Sequence, residues 1–137
     1  MATRARSWLK RPALWAGFTM IGFAAFFVTP YCGYLFECGC TWPWAGLDVD
    51  CNINDRQALH RCPWCVSLEA GAASMIVLFG ASISAAARGA GGANSFVGGY
   101  GRGLRLGIGA FLIAGFLGAW VAALYTGYPS FIISALV

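Results

Sequence analysis

Apolar residues run almost unbroken through three stretches of the chain, residues 12–29, 66–87 and 104–125. A helix needs about 20 such residues to cross a hydrocarbon core, and each stretch meets or approaches that length. The first carries no charge, the second only Glu69 near its start, and the third only Arg105 at its mouth. This pattern predicts an all-α membrane protein, a single membrane domain over residues 1–137 with three transmembrane helices. Two unlike connections join them: a polar segment, residues 30–65, and a glycine-rich one, residues 88–103, read as a flexible loop. After Tyr125 the chain reads TGYPSFIISALV, where Gly127 and Pro129 interrupt the helix. The remaining apolar end is too short to span again, so a short tail at the interface or docked on a partner is expected.

Small residues recur at four-residue spacing in the second and third stretches: Ala70 and Ser74, Gly80 and Ser84, then Ala110, Ala114, Gly118 and Ala122. Such ridges let helix backbones approach closely where lipid gives no hydrophobic drive for association. They point to tight packing within the chain, against other transmembrane subunits, or in a homo-oligomer.

Composition supports the membrane reading. Of the 137 residues 59% are hydrophobic and 10% charged, whereas ordinary soluble domains are about one quarter charged. The net charge of +4 is an orientation signal and not a nucleic-acid patch. Arg4, Arg6, Lys10 and Arg11 precede the first stretch, and Arg88, Arg102 and Arg105 flank the second connection, so seven of nine basic residues fall on one side. Cytoplasmic flanks collect Lys and Arg, which places the N-terminus in the cytoplasm, as in a bacterial inner membrane, and residues 30–65 on the periplasmic side. The first stretch is too long for a cleaved signal peptide and lacks a small-x-small site after it, so it reads as a retained anchor.

All six cysteines, Cys32, Cys38, Cys40, Cys51, Cys62 and Cys65, lie in that one extracytoplasmic segment. An even set of thiols in an oxidising compartment reads first as disulfides, with 15 possible connectivities. The segment has few aliphatic residues, so covalent staples would replace a core. Trp42, Trp44, Trp64, Tyr31 and Tyr34 in the same region favour the headgroup level, where they would lie against the membrane or form a lid over a quinone or lipid.

HRCPWC, residues 60–65, opens the second stretch. With Cys62 as N-cap, Pro63 falls at the first helical position and Cys65 in the first turn. A helix N-terminus and Arg61 both favour thiolate over thiol, the condition for a reactive cysteine. His60, the only histidine, is placed to move a proton, and Glu69 lies four residues beyond Cys65, one turn deeper on the same helical face. A metal clip is the alternative: Cys38, Cys40, Cys62 and Cys65, with His60 as a substitute ligand, supply a tetrahedral set for zinc or, through soft sulfur, copper.

A C-x-x-C opening the second transmembrane helix, a glutamate shortly after it and an Ala/Gly-rich apolar run beyond, together residues 62–86, resemble the membrane disulfide-bond oxidases of the DsbB type and the related vitamin K epoxide reductases. That resemblance implies a helical bundle in which Cys62 and Cys65 pass electrons to a quinone. It makes Cys38, Cys40 or Cys51 shuttle thiols that exchange with a soluble thioredoxin-like partner. Two functions therefore stand as expectations. One is a membrane thiol-disulfide oxidoreductase acting through Cys62 and Cys65, with Cys38, Cys40, Cys51, Glu69 and His60 as further site residues. The other is a small accessory subunit of a larger membrane complex with a stapled or metal-binding outer loop.

Overall fold

The computed structural model describes residues 11–40, 51–57 and 61–129. His60, Trp42, Trp44 and the end of the tail from residue 130 lie outside them. The described residues are helical, without a strand: α1 Pro12–Phe36, the single turn α2 Pro63–Val66, α3 Leu68–Ala90 and α4 Phe96–Thr126. Among them α1, α3 and α4 are long and apolar enough to cross a membrane, with mean hydropathies of 1.6, 1.7 and 2.0 over their best windows. No more than a third of any of these windows is buried, so most of their apolar surface faces outward.

The elements depart from the expected bounds in two places that matter. The first stretch does not stop before Pro30; α1 continues through it for a further turn and a half, to Phe36. Proline removes one i→i−4 hydrogen bond, but the turns beyond it bury Cys32, Leu35 and Phe36, and that packing holds the helix past the break. It ends where Glu37 and Gly39 take positive φ, +50° and +74°. The polar segment thus begins at residue 37, and Cys32 belongs to a long helix.

The second departure is at residues 88–103. Only residues 91–95 connect α3 and α4, because α4 starts eight residues earlier than the apolar pattern. Ser95 begins it: its carbonyl accepts from Gly99 N–H at 3.0 Å and its hydroxyl from Gly98 N–H at 3.1 Å. Glycines that read as a linker in water are here the packing ridge of a helix.

By internal contacts the chain divides into two compact units, the first from residues up to Ala24 and Leu78–Ala114, the second from Ala25–Val77 and Gly115 onward. In the first, α4 turns Gly99, Gly103 and Gly107 toward α1 and α3. A Cβ on Gly103 would sit 2.6 Å from the Ala86 carbonyl oxygen and 3.1 Å from Ala16 Cβ, and one on Gly107 2.7 Å from Met20 Cγ. Ala16, Met20 and Ala86 are fully buried by this close approach. Phe23 and Phe111 meet edge to face with centroids 5.5 Å apart.

In the second unit α3 and α4 approach through residues that the spacing singled out. The Ser74 hydroxyl donates to the Gly118 carbonyl at 3.2 Å, and a Cβ on Gly118 would stand 3.2 Å from that of Ser74. Phe36 is fully buried and contacts Trp64 and Tyr128 edge to face, at 5.4 and 5.6 Å. The Tyr128 hydroxyl donates to the Phe36 carbonyl at 2.7 Å, which satisfies one of the acceptors left over at the end of α1. The first residues of the tail are therefore docked within the chain itself.

Candidate metal-thiolate site

All six cysteines lie in the second unit. Cys32 sits on the last turns of α1, one helical turn before Phe36. The chain then folds back on the helix it has just left. This return passes so near Gly33 that a Cβ there would collide with the Cys40 carbonyl oxygen. Glycine is the side chain this reversal permits. Cys38 is thereby brought back to Cys32, with their sulfurs 3.9 Å apart.

The second arm comes from the CPWC turn. Cys62 is the N-cap of α2 and Pro63 its first residue, as the sequence predicts. The Cys62 carbonyl accepts from Cys65 N–H and Val66 N–H, each at 3.0 Å. The turn does not run on into the long helix, however. Ser67 takes an extended conformation at φ −101° and ψ 105°, and α3 begins afresh with the Ser67 hydroxyl accepting from Ala70 N–H at 3.2 Å. The Trp64 carbonyl lies against α3 at Gly71, where a Cβ would strike it. The CPWC turn is thus a separate knuckle laid on the start of α3.

Asn52 joins the two arms. Its N–H donates to the Cys38 carbonyl at 2.7 Å, and its side-chain oxygen accepts from Cys62 N–H at 3.0 Å. Next to it Cys51 is disulfide-bonded to Cys40, eleven residues away, with Cα atoms 4.4 Å apart. Closing a loop of that length constrains the unfolded chain by about 3 kcal/mol.

The remaining four cysteines are thiols: Cys32, Cys38 and Cys62 are buried and Cys65 is exposed. Cys32 and Cys62 sulfurs approach to 3.3 Å, and the sulfurs of Cys32, Cys38 and Cys62 all lie within 4.8 Å of one another. Cys65 stands beside them, exposed, three residues after Cys62 on the same turn. The hydrogen bonds of Cys32 and then Cys62 hold the Cys38 thiol down to about 3, and the same two neighbours hold Cys65 down to about 3. At Cys62 the hydrogen bond with Cys32 pulls downward, but those with Cys38 and Cys65, together with burial, outweigh it and push the thiol up. Ionisation at this site is therefore a property of the sulfur cluster. The expected source, the positive end of a long helix beside Arg61, is replaced by these neighbours, since α2 is only four residues long and Arg61 is exposed.

Several expected site residues move as a result. The ligand set read from spacing, Cys38, Cys40, Cys62 and Cys65, loses Cys40 to the bond with Cys51, and Cys32 stands in its place. Cys62 and Cys65 are both thiols, not a disulfide with each other. Glu69 is exposed in the first turn of α3, beyond the break at Ser67, so it does not continue the helical face of Cys65. Two residues escape a reading by spacing. Cys32 was hidden by taking Pro30 as a helix end, although Cys32 and Phe36 share one helical face at i, i+4. Asn52 carries no signal beyond its place beside Cys51.

Three buried thiols converge from a helix end, a reversed turn and a knuckle, and the exposed Cys65 of the same knuckle supplies a fourth soft donor beside them. Such a donor set suits a d¹⁰ cation that prefers sulfur and imposes no geometry of its own. The Trp64 indole N–H, between the two knuckle cysteines in sequence, is buried with no partner among the described residues. No family model matches this chain, and no curated protein or solved structure matches it.

Proposed function

We propose that this chain is an integral membrane protein that holds one soft metal ion, Zn²⁺ or Cu⁺, in a thiolate site of Cys32, Cys38, Cys62 and Cys65, and serves as a small accessory subunit of a membrane assembly. The observation that carries the reading is the spacing of the free sulfurs. Ligands about 2.3 Å from a tetrahedral zinc stand about 3.8 Å from each other. The sulfurs of Cys32 lie 3.9 Å from Cys38 and 3.3 Å from Cys62, close to that figure without a bond between them. Four protein ligands leave no open coordination position, so the site fits structural holding or storage of the ion better than Lewis-acid catalysis. The charge bias supports a cytoplasmic N-terminus in a bacterial inner membrane and a periplasmic site. The outward apolar faces support packing against lipid, other subunits or a second copy.

A second reading, thiol-disulfide exchange, is favoured by one specific contact. The sulfurs of Cys38, Cys40 and Cys51 also lie within 4.8 Å of one another, and the neighbouring Cys32 and Cys62 thiols favour ionisation of Cys38. In that reading the Cys38 thiolate attacks one sulfur of the Cys40–Cys51 bond, forms a new disulfide with it and releases the other as thiolate. Cys62 and Cys65 would give two electrons and two protons to a quinone as they close a disulfide, and exchange through the loop cysteines with the dithiol of a thioredoxin-like partner, oxidised in turn, would return them to thiols, as the DsbB-type resemblance implies.

Elemental analysis and thiol mapping of protein purified without chelator separate the two. The metal reading expects one zinc or copper per chain, with Cys32, Cys38, Cys62 and Cys65 alkylated only after the ion is removed. Metal-free protein carrying a Cys62–Cys65 disulfide, or a Cys38 disulfide with Cys40 or Cys51, would favour exchange instead.

A further inference from the structure

The first unit holds a feature that has no part in the sulfur chemistry. Between α3 and α4 runs an open cleft of about 570 Å³, with Arg88 contributed by α3 and Arg102 and Arg105 by α4. Its lining then becomes apolar, through Gly109 and Ala110 to Ile113 one turn further along α4. Residues up to 24 and residues 78–114, which make up this unit, contain no aspartate or glutamate at all, against seven arginines and lysines. The three guanidiniums therefore have no carboxylate of their own unit to neutralise them.

We propose that this cleft binds the headgroup of an anionic phospholipid, with its phosphate among Arg88, Arg102 and Arg105 and the start of an acyl chain lying along Gly109 toward Ile113. Three observations select this occupant. The charge is of one sign only, and guanidinium groups pair with phosphate through paired N–H donors. The lining changes from cationic to apolar along the helix direction, which matches an amphiphile and not a free phosphate ion. The volume is that of a small-molecule pocket, well beyond what a single inorganic anion fills. Basic pockets between membrane helices on the cytoplasmic side take anionic headgroups for these reasons, and the charge bias of the chain puts these arginines on that side.

Gly109 supplies the sharpest test. Gly109 lines the cleft and a Cβ there meets nothing within 4 Å, so a larger side chain is expected to fill cleft space and spare the helix packing. By contrast, Gly103 and Gly107 are in close contact and would disturb the fold. Full-length protein in detergent micelles is titrated with phosphatidylglycerol, phosphatidylcholine or inorganic phosphate, and retained lipid is counted by native mass spectrometry. Phosphatidylglycerol is expected to be retained at about one per chain and phosphatidylcholine at least tenfold less well. Arg102→Gln with Arg105→Gln should weaken retention by about 25-fold, from about fivefold for each charge. Gly109→Leu, with every charge kept, should weaken it at least about tenfold with unchanged helical content. Equal retention of both lipids, or retention unaffected by Gly109→Leu, would overturn the proposal. So would displacement of phosphatidylglycerol by millimolar phosphate, which would indicate a small-anion site.

Discussion

Cys32→Ser is expected to lower the affinity of the protein for its metal by more than about 100-fold while leaving the helices intact. Groups that only hydrogen-bond to a metal's ligands typically contribute 10- to 100-fold in affinity, so loss of a ligand sulfur has to exceed that range. Serine nearly matches cysteine in size and sits on a helix that α1 forms for its own apolar reasons, so the cavity is preserved and only the ligand changes. Binding energy at structural thiolate sites is also folding energy, of order 10 kcal/mol. The knuckle and the reversed turn should therefore loosen together in the variant, and amide exchange at Cys38 and Cys62 should speed up. Competition with a coloured chelator, run on the native protein and the variant at equal concentration, reads the affinity directly. An unchanged metal content in Cys32→Ser would remove Cys32 from the site and return the ligand set to the loop.

The paired variant Cys40→Ser with Cys51→Ser should behave in the opposite way. Removing that disulfide is expected to destabilise the outer segment by about 3 kcal/mol, a rise of about two powers of ten in its open population. The strain falls on Asn52, whose contacts to Cys38 and Cys62 depend on where the Cys40–Cys51 bond holds it. Metal stoichiometry should nevertheless remain one per chain, because the proposed ligand set contains neither sulfur. Hydrogen exchange under increasing denaturant gives the stability, and metal analysis gives the stoichiometry. Under thiol-disulfide exchange the same variant loses its shuttle disulfide, and disulfide transfer to a thioredoxin-like acceptor should stop altogether.

Much of the architecture was legible because long, nearly uncharged apolar runs leave few alternatives to long helices. Three apolar runs became three long helices, and the cap geometry of Cys62 and Pro63 followed from local backbone chemistry alone. The departures arose where packing within the chain overrode local helix breakers. Pro30 reads as a stop, yet the buried Leu35 and Phe36 hold the turns beyond it, so α1 carries Cys32 past it. The run from Gly98 to Gly103 reads as a linker, yet close packing against Ala86, Ala90 and Ala16 makes it a helix. The pairing of Cys40 with Cys51 was not legible at all, since six cysteines allow 15 connectivities and the choice depends on a chain reversal at Gly33 and Glu37. For the same reason the sulfur quartet differs by one member from the set that spacing proposes.

The central claim is that four sulfurs from Cys32, Cys38, Cys62 and Cys65 surround one ion. X-ray absorption at the metal edge of protein isolated from membranes without chelator tests it most directly. The account predicts a shell of four sulfur atoms at about 2.3 Å if the ion is zinc. A shell containing oxygen or nitrogen, or protein with no stoichiometric metal and with Cys62 bridged to Cys65, would contradict it.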